Sequence, residues 1–98
     1  MHTWNSAEWL IMAFDSTQQA LRAEMLMEYM DLEIDTCPTP KEITAGCALS
    51  IQFLGFDLGQ VKSLIVDQQV EIRGIFYKDK DEYIEIEMDR ATDEKGGD

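Results

Sequence analysis

The chain has 98 residues, of which 45% are hydrophobic and 9% aromatic, so it is long enough for one folded domain with a single core. Its 20 acidic and 8 basic residues give a formal net charge of −12, and a surface this negative repels phosphate backbones and anionic lipid. The composition therefore argues against nucleic-acid and membrane partners, whereas basic proteins and cationic ligands remain compatible with it.

The first predicted element is a buried strand at about residues 8–14, because the apolar run "EWLIMAF" is short and ends at Asp15. A helix follows, and the side-chain oxygen of Ser16 or Thr17 can cap its N-terminus. One stripe of this helix is apolar and is expected to pack on a sheet; it comprises Ala20, Ala23, Met27 and Met30.

Two strands with alternating polarity come next. Residues 31–37, "DLEIDTC", alternate cleanly and indicate a half-buried strand, and residues 47–55, "CALSIQFLG", alternate in the same way. The loop between them contains both prolines of the chain, Pro38 and Pro40. The only two cysteines, Cys37 and Cys47, stand at its ends.

A second helix and a further strand complete the regular pattern. Residues 57–69 carry apolar side chains at helical spacing, and Asp57 is expected to cap this helix. Residues 70–77, "VEIRGIFY", alternate again. The expected face of that strand carries Val70, Ile72 and Phe76.

The predicted order of elements is β-α-β-β-α-β with an appended C-terminal strand, "YIEIEM", at residues 83–88. Residues 89–98 have no core-forming pattern and are expected to be a flexible acidic tail. We therefore expect a single α+β domain over residues 1–88. Its fold is the ferredoxin-like split βαβ, an antiparallel sheet with two helices on one face.

This topology predicts where the cysteine-bearing loop lies. The first and third strands are antiparallel neighbours at the centre of the sheet, so the start of the first helix and the start of the third strand share one edge. Cys47 is then expected beside Ser16 and Thr17, at a helix N-terminus whose partial positive charge favours a thiolate. Lys41, in the same loop, would strengthen that effect.

Two segments resemble a known family. "FDSTQQALRAE" (residues 14–24) followed by "PTPKEITAGCALS" (residues 38–50) is similar to small bacterial selenium/sulfur carrier-like proteins, over roughly residues 8–77. The resemblance implies that Cys47 is a carrier thiol, which exchanges sulfur or selenium with donor and acceptor proteins. Ala48 replaces the glycine that the family has after its cysteine. The supporting site expected around the thiol comprises Ser16, Thr17, Pro38, Pro40, Lys41 and Gly46.

Other interpretations of the cysteines stay open. Cys47 can be a buried small residue at the start of a strand, in a regulatory or scaffolding interaction domain without carrier chemistry. "CPTP" (residues 37–40) resembles the Cys-Pro-x-Pro motif of sulfur-relay carriers, but too few residues follow for a helix, so Cys37 is interpreted as structural or as a possible second thiol. In a reducing cytoplasm a permanent Cys37–Cys47 disulfide is disfavoured, and a reversible one is left open.

No motif for catalysis or for a cofactor is found. The sequence has no Ser/His/Asp set and no phosphate-binding glycine loop, and its single histidine is His2. Two thiols alone do not complete a tetrahedral zinc site, and the acidic run at 79–89 lacks the spacing of a calcium loop. We therefore expect a non-enzyme that has no metal and no cofactor.

A second apolar stripe on the first helix predicts an interface, formed by Leu21, Met25 and Tyr29 at positions i, i+4 and i+8. One face of the sheet also lacks a helix and would expose either Trp9 and Ile11 or the alternate set of the first strand. Because much apolar surface would stay wet in a monomer, we expect a homodimer or another protein partner. No segment has the length of a membrane span or the pattern of a signal peptide, and we expect a cytoplasmic location.

Overall fold

The computed structural model describes residues 7–86, which form an α+β fold with five strands and two α-helices. The elements are β1 (Trp9–Ala13), α1 (Thr17–Tyr29), β2 (Ile34–Pro38), β3 (Leu49–Leu54), a 3₁₀ turn (Gly55–Asp57), α2 (Leu58–Gln68), β4 (Gly74–Asp79) and β5 (Glu82–Ile86). The predicted tail at 89–98, the end of the predicted last strand at Met88, and His2 all lie outside the described residues.

The five strands form one antiparallel sheet in the order β2-β3-β1-β4-β5. β1 lies at the centre, between β3 and β4, so the predicted antiparallel pairing of the first and third strands is present. Both edges of β1 are paired and four of its five residues are buried, as its apolar sequence predicts.

The main core lies between the sheet and the two helices. Both helices contribute to one buried cluster with the same face of the sheet, which includes Leu10, Met12, Phe14, Ala20, Ala23, Met27, Ile51, Phe53, Val61, Leu64 and Ile75. The predicted apolar stripe of α1 is therefore confirmed for Ala20, Ala23 and Met27. Met30 is 38% exposed, because the helix ends there and the chain turns away at Asp31.

The opposite face of the sheet carries a smaller cluster, and a loop covers part of it. Ile11 and Ala13 of β1 lie on this face, and Ile43 from the loop between β2 and β3 is buried against them. Phe76 of β4 and Tyr83 of β5 pack at the same place. Of the two sets that the sequence left open for this face, the structure has the odd-numbered one, with Trp9 41% exposed.

The fourth strand begins later than predicted and in a different phase. β4 starts at Gly74, so Ile75 joins the helix-side core while Phe76 packs on the opposite face. The prediction that Val70, Ile72 and Phe76 share one face is therefore wrong for Phe76. Val70 and Ile72 belong to the connection that follows α2, and the chain does not alternate regularly across residues 73 and 74.

The two helices start differently. The hydroxyl of Ser16 accepts a hydrogen bond from the N–H of Gln19 at 3.4 Å and caps α1, as predicted. Asp57 occupies the N-cap position of α2, but its side chain makes no capping hydrogen bond, because the 3₁₀ turn leads directly into the helix. Neither described helix combines the length and the hydropathy that crossing a bilayer requires.

Candidate functional site

Cys47 lies where β1 ends and α1 begins. Its backbone N–H donates to the carbonyl of Phe14 at 3.0 Å, which ties the segment before β3 to the residue that follows β1. The side chain is only 5% exposed and belongs to the helix-side core. The topology predicted from the sequence therefore places this cysteine beside the N-terminus of the first helix.

Two hydrogen-bonding groups contact the sulfur of Cys47. The backbone N–H of Leu49 donates to Sγ at 3.3 Å, and Thr17 Oγ1 lies 3.3 Å from the same sulfur. Thr17 is the first residue of α1, where the free N–H groups of the helix carry partial positive charge. Thr17 and Leu49 therefore each place a polar hydrogen-bonding group at this sulfur.

The loop that carries Cys47 is attached to the β1–α1 junction through Gly46. The N–H of Gly46 donates to Asp15 Oδ1 at 2.7 Å. A Cβ atom at position 46 would lie 2.8 Å from the backbone oxygen of Asp15, so only glycine fits this approach without a shift of the backbone. Gly46 thus fixes the position of the residue that precedes the thiol.

Thr39 and Ser50 brace the same loop, and sequence reasoning missed both. Thr39 Oγ1 lies 2.6 Å from Ser50 Oγ and also 3.0 Å from the carbonyl oxygen of Cys47, to which it donates. Ser50 is fully buried, so its hydroxyl depends on this partner. The available signal was a hydroxyl at a buried strand position close to the threonine of the Pro-Thr-Pro segment.

A surface pocket of about 440 Å³ opens above Cys47 between α1 and the β2–β3 hairpin. It is lined by Thr17, Thr36, Cys37, Pro38, Cys47, Ala48 and Leu49. Four of the predicted site residues therefore line one pocket, namely Thr17, Pro38, Cys37 and Cys47.

The remaining predicted residues lie around this pocket with other contacts. The hydroxyl of Ser16 is used in capping α1. The carbonyl of Pro40 accepts from the N–H of Ile43 and closes a turn, so residues 41–46 form no helix, as expected. Lys41 is exposed in that turn and is not among the residues that line the pocket, and its effect on the sulfur stays a prediction.

Cys37 and Cys47 belong to opposite faces of the sheet. Cys37 pairs with Ser50 across the β2–β3 register, and Ser50 pairs with Ala13, which faces away from the helices. Side chains that are directly opposite in an antiparallel pair share a face, so Cys37 also faces away from the helices, whereas Cys47 lies in the helix-side core. Both thiols are free, and this arrangement disfavours the disulfide that the sequence left open.

The surroundings of Cys37 raise the pKa of its thiol. Partial burial raises the pKa of the Cys37 thiol above its ordinary value, and the negative charge of Asp35 raises this pKa further. Within residues 7–86 no group of three or more His, Cys, Asp and Glu side chains could hold a metal ion.

The predicted interface residues are exposed. Leu21 is 52% exposed, Met25 62% and Tyr29 90%, so this stripe of α1 is open to solvent. Their role in binding a partner stays a prediction.

Comparison with known proteins supplies a family. A family model described as "Putative Se/S carrier protein-like" matches residues 9–77, which include β1, both helices and the whole of the Cys47 loop. No curated protein and no solved structure matches the chain. Because the family model covers well over half of the sequence and agrees with the resemblance noted above, the chain belongs to this family of Se/S carrier-like proteins.

Proposed function

We propose that the protein is a non-enzymatic carrier of sulfur or selenium and that Cys47 is its carrier thiol. The observation that carries the proposal is the pair of groups on Cys47 Sγ, the N–H of Leu49 and the hydroxyl of Thr17, at the base of an open pocket. These groups would stabilise a thiolate and, after loading, the negative end of a persulfide. Membership of a family described as carriers supports the same class of function.

The loading step is a thiol exchange. The Cys47 thiolate attacks the outer sulfur of a donor protein's cysteine persulfide, so a new S–S bond forms on Cys47 while the donor's S–S bond breaks. The donor cysteine leaves as a thiolate and takes up the proton that Cys47 released. Passing the sulfur to an acceptor thiol is the same exchange in reverse, and neither step requires an external oxidant. Selenium would be carried in the same way, as the outer atom of the adduct.

In this proposal the supporting residues hold the thiol in position and contribute to the electrostatic field around it. Ser16 caps the helix whose N-terminus faces the sulfur, Pro38 forms part of the pocket wall, and Gly46 fixes the loop. Lys41 contributes only its charge from the loop surface.

We further propose a cytoplasmic location, where thiols stay reduced. We also propose that β1–β4 and both helices form a ferredoxin-like split-βαβ unit, to which β5 is appended.

The two cysteines offer a matched pair of variants for the test. Folded wild-type protein, Cys47→Ser and Cys37→Ser would each be incubated with inorganic polysulfide at neutral pH and desalted. The mass of each intact protein would then be measured by mass spectrometry. We expect the wild type and Cys37→Ser to gain one sulfur atom, mapped to Cys47 by peptide analysis, and Cys47→Ser to gain none. Loading of Cys47→Ser at the wild-type level, with loss in Cys37→Ser, would instead assign the chemistry to Cys37.

A second candidate function is a regulatory or scaffolding interaction domain in which Cys47 only fills the core. The 5% exposure of Cys47 and its place in the helix-side cluster favour this alternative. It predicts that no folded variant loads sulfur and that Cys47 reacts with alkylating reagents only after unfolding. The same loading experiment therefore decides between the two functions.

A further inference from the structure

β2 is an outermost strand of the described sheet, and the direction of its backbone groups can be assigned. The N–H of Thr39 donates to the carbonyl of Ala48, in line with the β2–β3 register, so the odd-numbered residues of β2 hydrogen-bond with β3. The even-numbered residues then direct their backbone groups outward. Ile34 and Thr36 present an N–H and a carbonyl each, and Pro38 presents only a carbonyl, which suits proline at the end of an edge strand.

The side of α1 that borders this edge is known from Thr17, which lines a pocket together with Thr36 and Pro38 of β2. Leu21, Glu24 and Glu28 follow Thr17 at i+4, i+7 and i+11 and therefore lie on the same side of the helix. This side of α1 therefore borders the outer edge of β2. Leu21, 52% exposed, is an apolar side chain on it.

The segment that forms this edge of the sheet is strongly acidic. The segment from Thr17 to Pro38 contains five acidic residues, namely Glu24, Glu28, Asp31, Glu33 and Asp35, and a single basic one. That basic residue, Arg22, is turned to the other side of α1, where it donates to the carbonyl of Gln68 at 2.6 Å and to that of Gln69 at 3.5 Å. No positive charge of α1 or β2 therefore compensates the acids along this edge.

We propose that the β2 edge is a docking site for an extended, basic segment of a partner protein, which adds to the sheet as a sixth strand. Its backbone would pair with Ile34 and Thr36. Alternate side chains of an added strand point to opposite faces, so apolar ones would pack on Ile34 and Leu21 while Lys or Arg side chains would lie opposite Glu33 and Asp35. A second copy of this chain is a poor occupant, because it would bring two acidic edges together.

The docking site borders the Cys47 pocket, since Thr36 and Pro38 contribute to both. A strand bound at β2 would therefore lie beside the thiol. The docking proposal rests on edge geometry and charge and does not require sulfur transfer, so binding is measured with Cys47→Ser as well as with wild-type protein. Binding without loading would contradict the carrier function and leave the docking site intact.

The probe is a capped synthetic peptide about eight residues long in which Val and Lys alternate. We expect saturable binding, measured by calorimetry, and slowed amide exchange at Ile34 and Thr36, measured by NMR. Asp35→Lys should weaken binding about fivefold, because it replaces an attractive cross-strand charge by a repulsive one. Glu82→Lys, on the far edge strand β5, makes the same change in net charge and should alter the affinity less than about twofold.

Four outcomes would overturn the proposal. Equal weakening by Asp35→Lys and Glu82→Lys would mean that the peptide responds only to net charge. Undiminished binding of a peptide whose alternate amides are N-methylated would exclude strand addition. No saturation up to about 1 mM peptide would exclude a specific site. Slow exchange of the Ile34 and Thr36 amides in the free protein, lost on dilution, would show that a second copy occupies the edge.

Discussion

The thiol of Cys37 differs from that of an ordinary cysteine in its pKa. Burial is the larger cause that raises this pKa, and the neighbouring charge of Asp35 raises it further. The thiolate is the nucleophile, so we expect iodoacetamide to modify Cys37 slowly at neutral pH and faster only above the ordinary thiol pKa. Peptide mapping by mass spectrometry across a pH series measures this directly.

Asp35→Asn removes the second cause and should move the onset of Cys37 alkylation to lower pH. Glu33→Gln provides the matched control, since it removes one acid from the same segment, and Glu33 is not a cause of the raised Cys37 pKa. An onset that does not move with Asp35→Asn, or that moves equally with Glu33→Gln, would show that Asp35 has no specific influence on Cys37.

Two glycines with different surroundings give a further test at the level of single residues. Gly46→Ala would place a Cβ 2.8 Å from the Asp15 backbone, and we expect a loss of about 1–3 kcal/mol in the free energy of unfolding. A Cβ atom added at Gly59 in α2 would meet nothing within 4 Å beyond its own helical backbone, so Gly59→Ala should stabilise the protein by about 0.5–1 kcal/mol. Urea denaturation of both variants measures the two effects, and equal losses would contradict this account of the loop.

The β2–β3 hairpin depends on a buried polar pair. Thr39→Val leaves the buried hydroxyl of Ser50 without its partner, at a cost of about 1–3 kcal/mol of stability. Ser50→Ala removes that hydroxyl, so the double variant should be less destabilised than the sum of the two single variants. Denaturation of all four proteins gives the coupling energy, and strict additivity would mean that the two hydroxyls do not interact.

The elements that could be predicted from the sequence are those with an uninterrupted pattern. The buried run of β1, the stripe of α1 and the alternation of β3 each follow one period and were assigned correctly. The phase of β4 was not, because a pattern that starts at Val70 gives no sign that the strand itself starts at Gly74. Strand periodicity shows that side chains alternate, but it does not show where the pairing with β1 begins.

The candidate site was predictable to the extent that topology determines it. The order of elements places Cys47 beside Thr17, and the 3.3 Å contact between their side chains agrees. Lys41 was expected to act on the sulfur because it lies in the same loop, and the turn closed by Pro40 and Ile43 places it on the surface, so that effect stays a prediction. The separation of Cys37 from Cys47 depends on strand register, and the Thr39–Ser50 pair depends on tertiary packing, so neither could be derived from spacing alone.

At the scale of the whole molecule, the exposed apolar stripe of α1 predicts that the protein self-associates. Leu21, Met25 and Tyr29 form one exposed apolar stripe, and we expect two copies to bury it against each other. Met25→Glu should then shift the mass measured by light scattering toward the monomer value of 11.2 kDa. Val66→Glu, at a 70% exposed position of α2, should not. A wild-type protein that is monomeric at high concentration would contradict the expectation.

The central position of β1 has a consequence for how the chain folds during synthesis. β1 precedes both of its neighbours in sequence, and β3 and β4 are separated from it by more than thirty residues each. β1, an apolar strand, is therefore synthesised first, and both of its edges stay unpaired until two distant segments have been synthesised. Contacts of this range slow folding, and an exposed apolar strand is open to pairing with other chains meanwhile. Chains that stop between β3 and β4 would expose one edge of β1 permanently, and we expect them to aggregate.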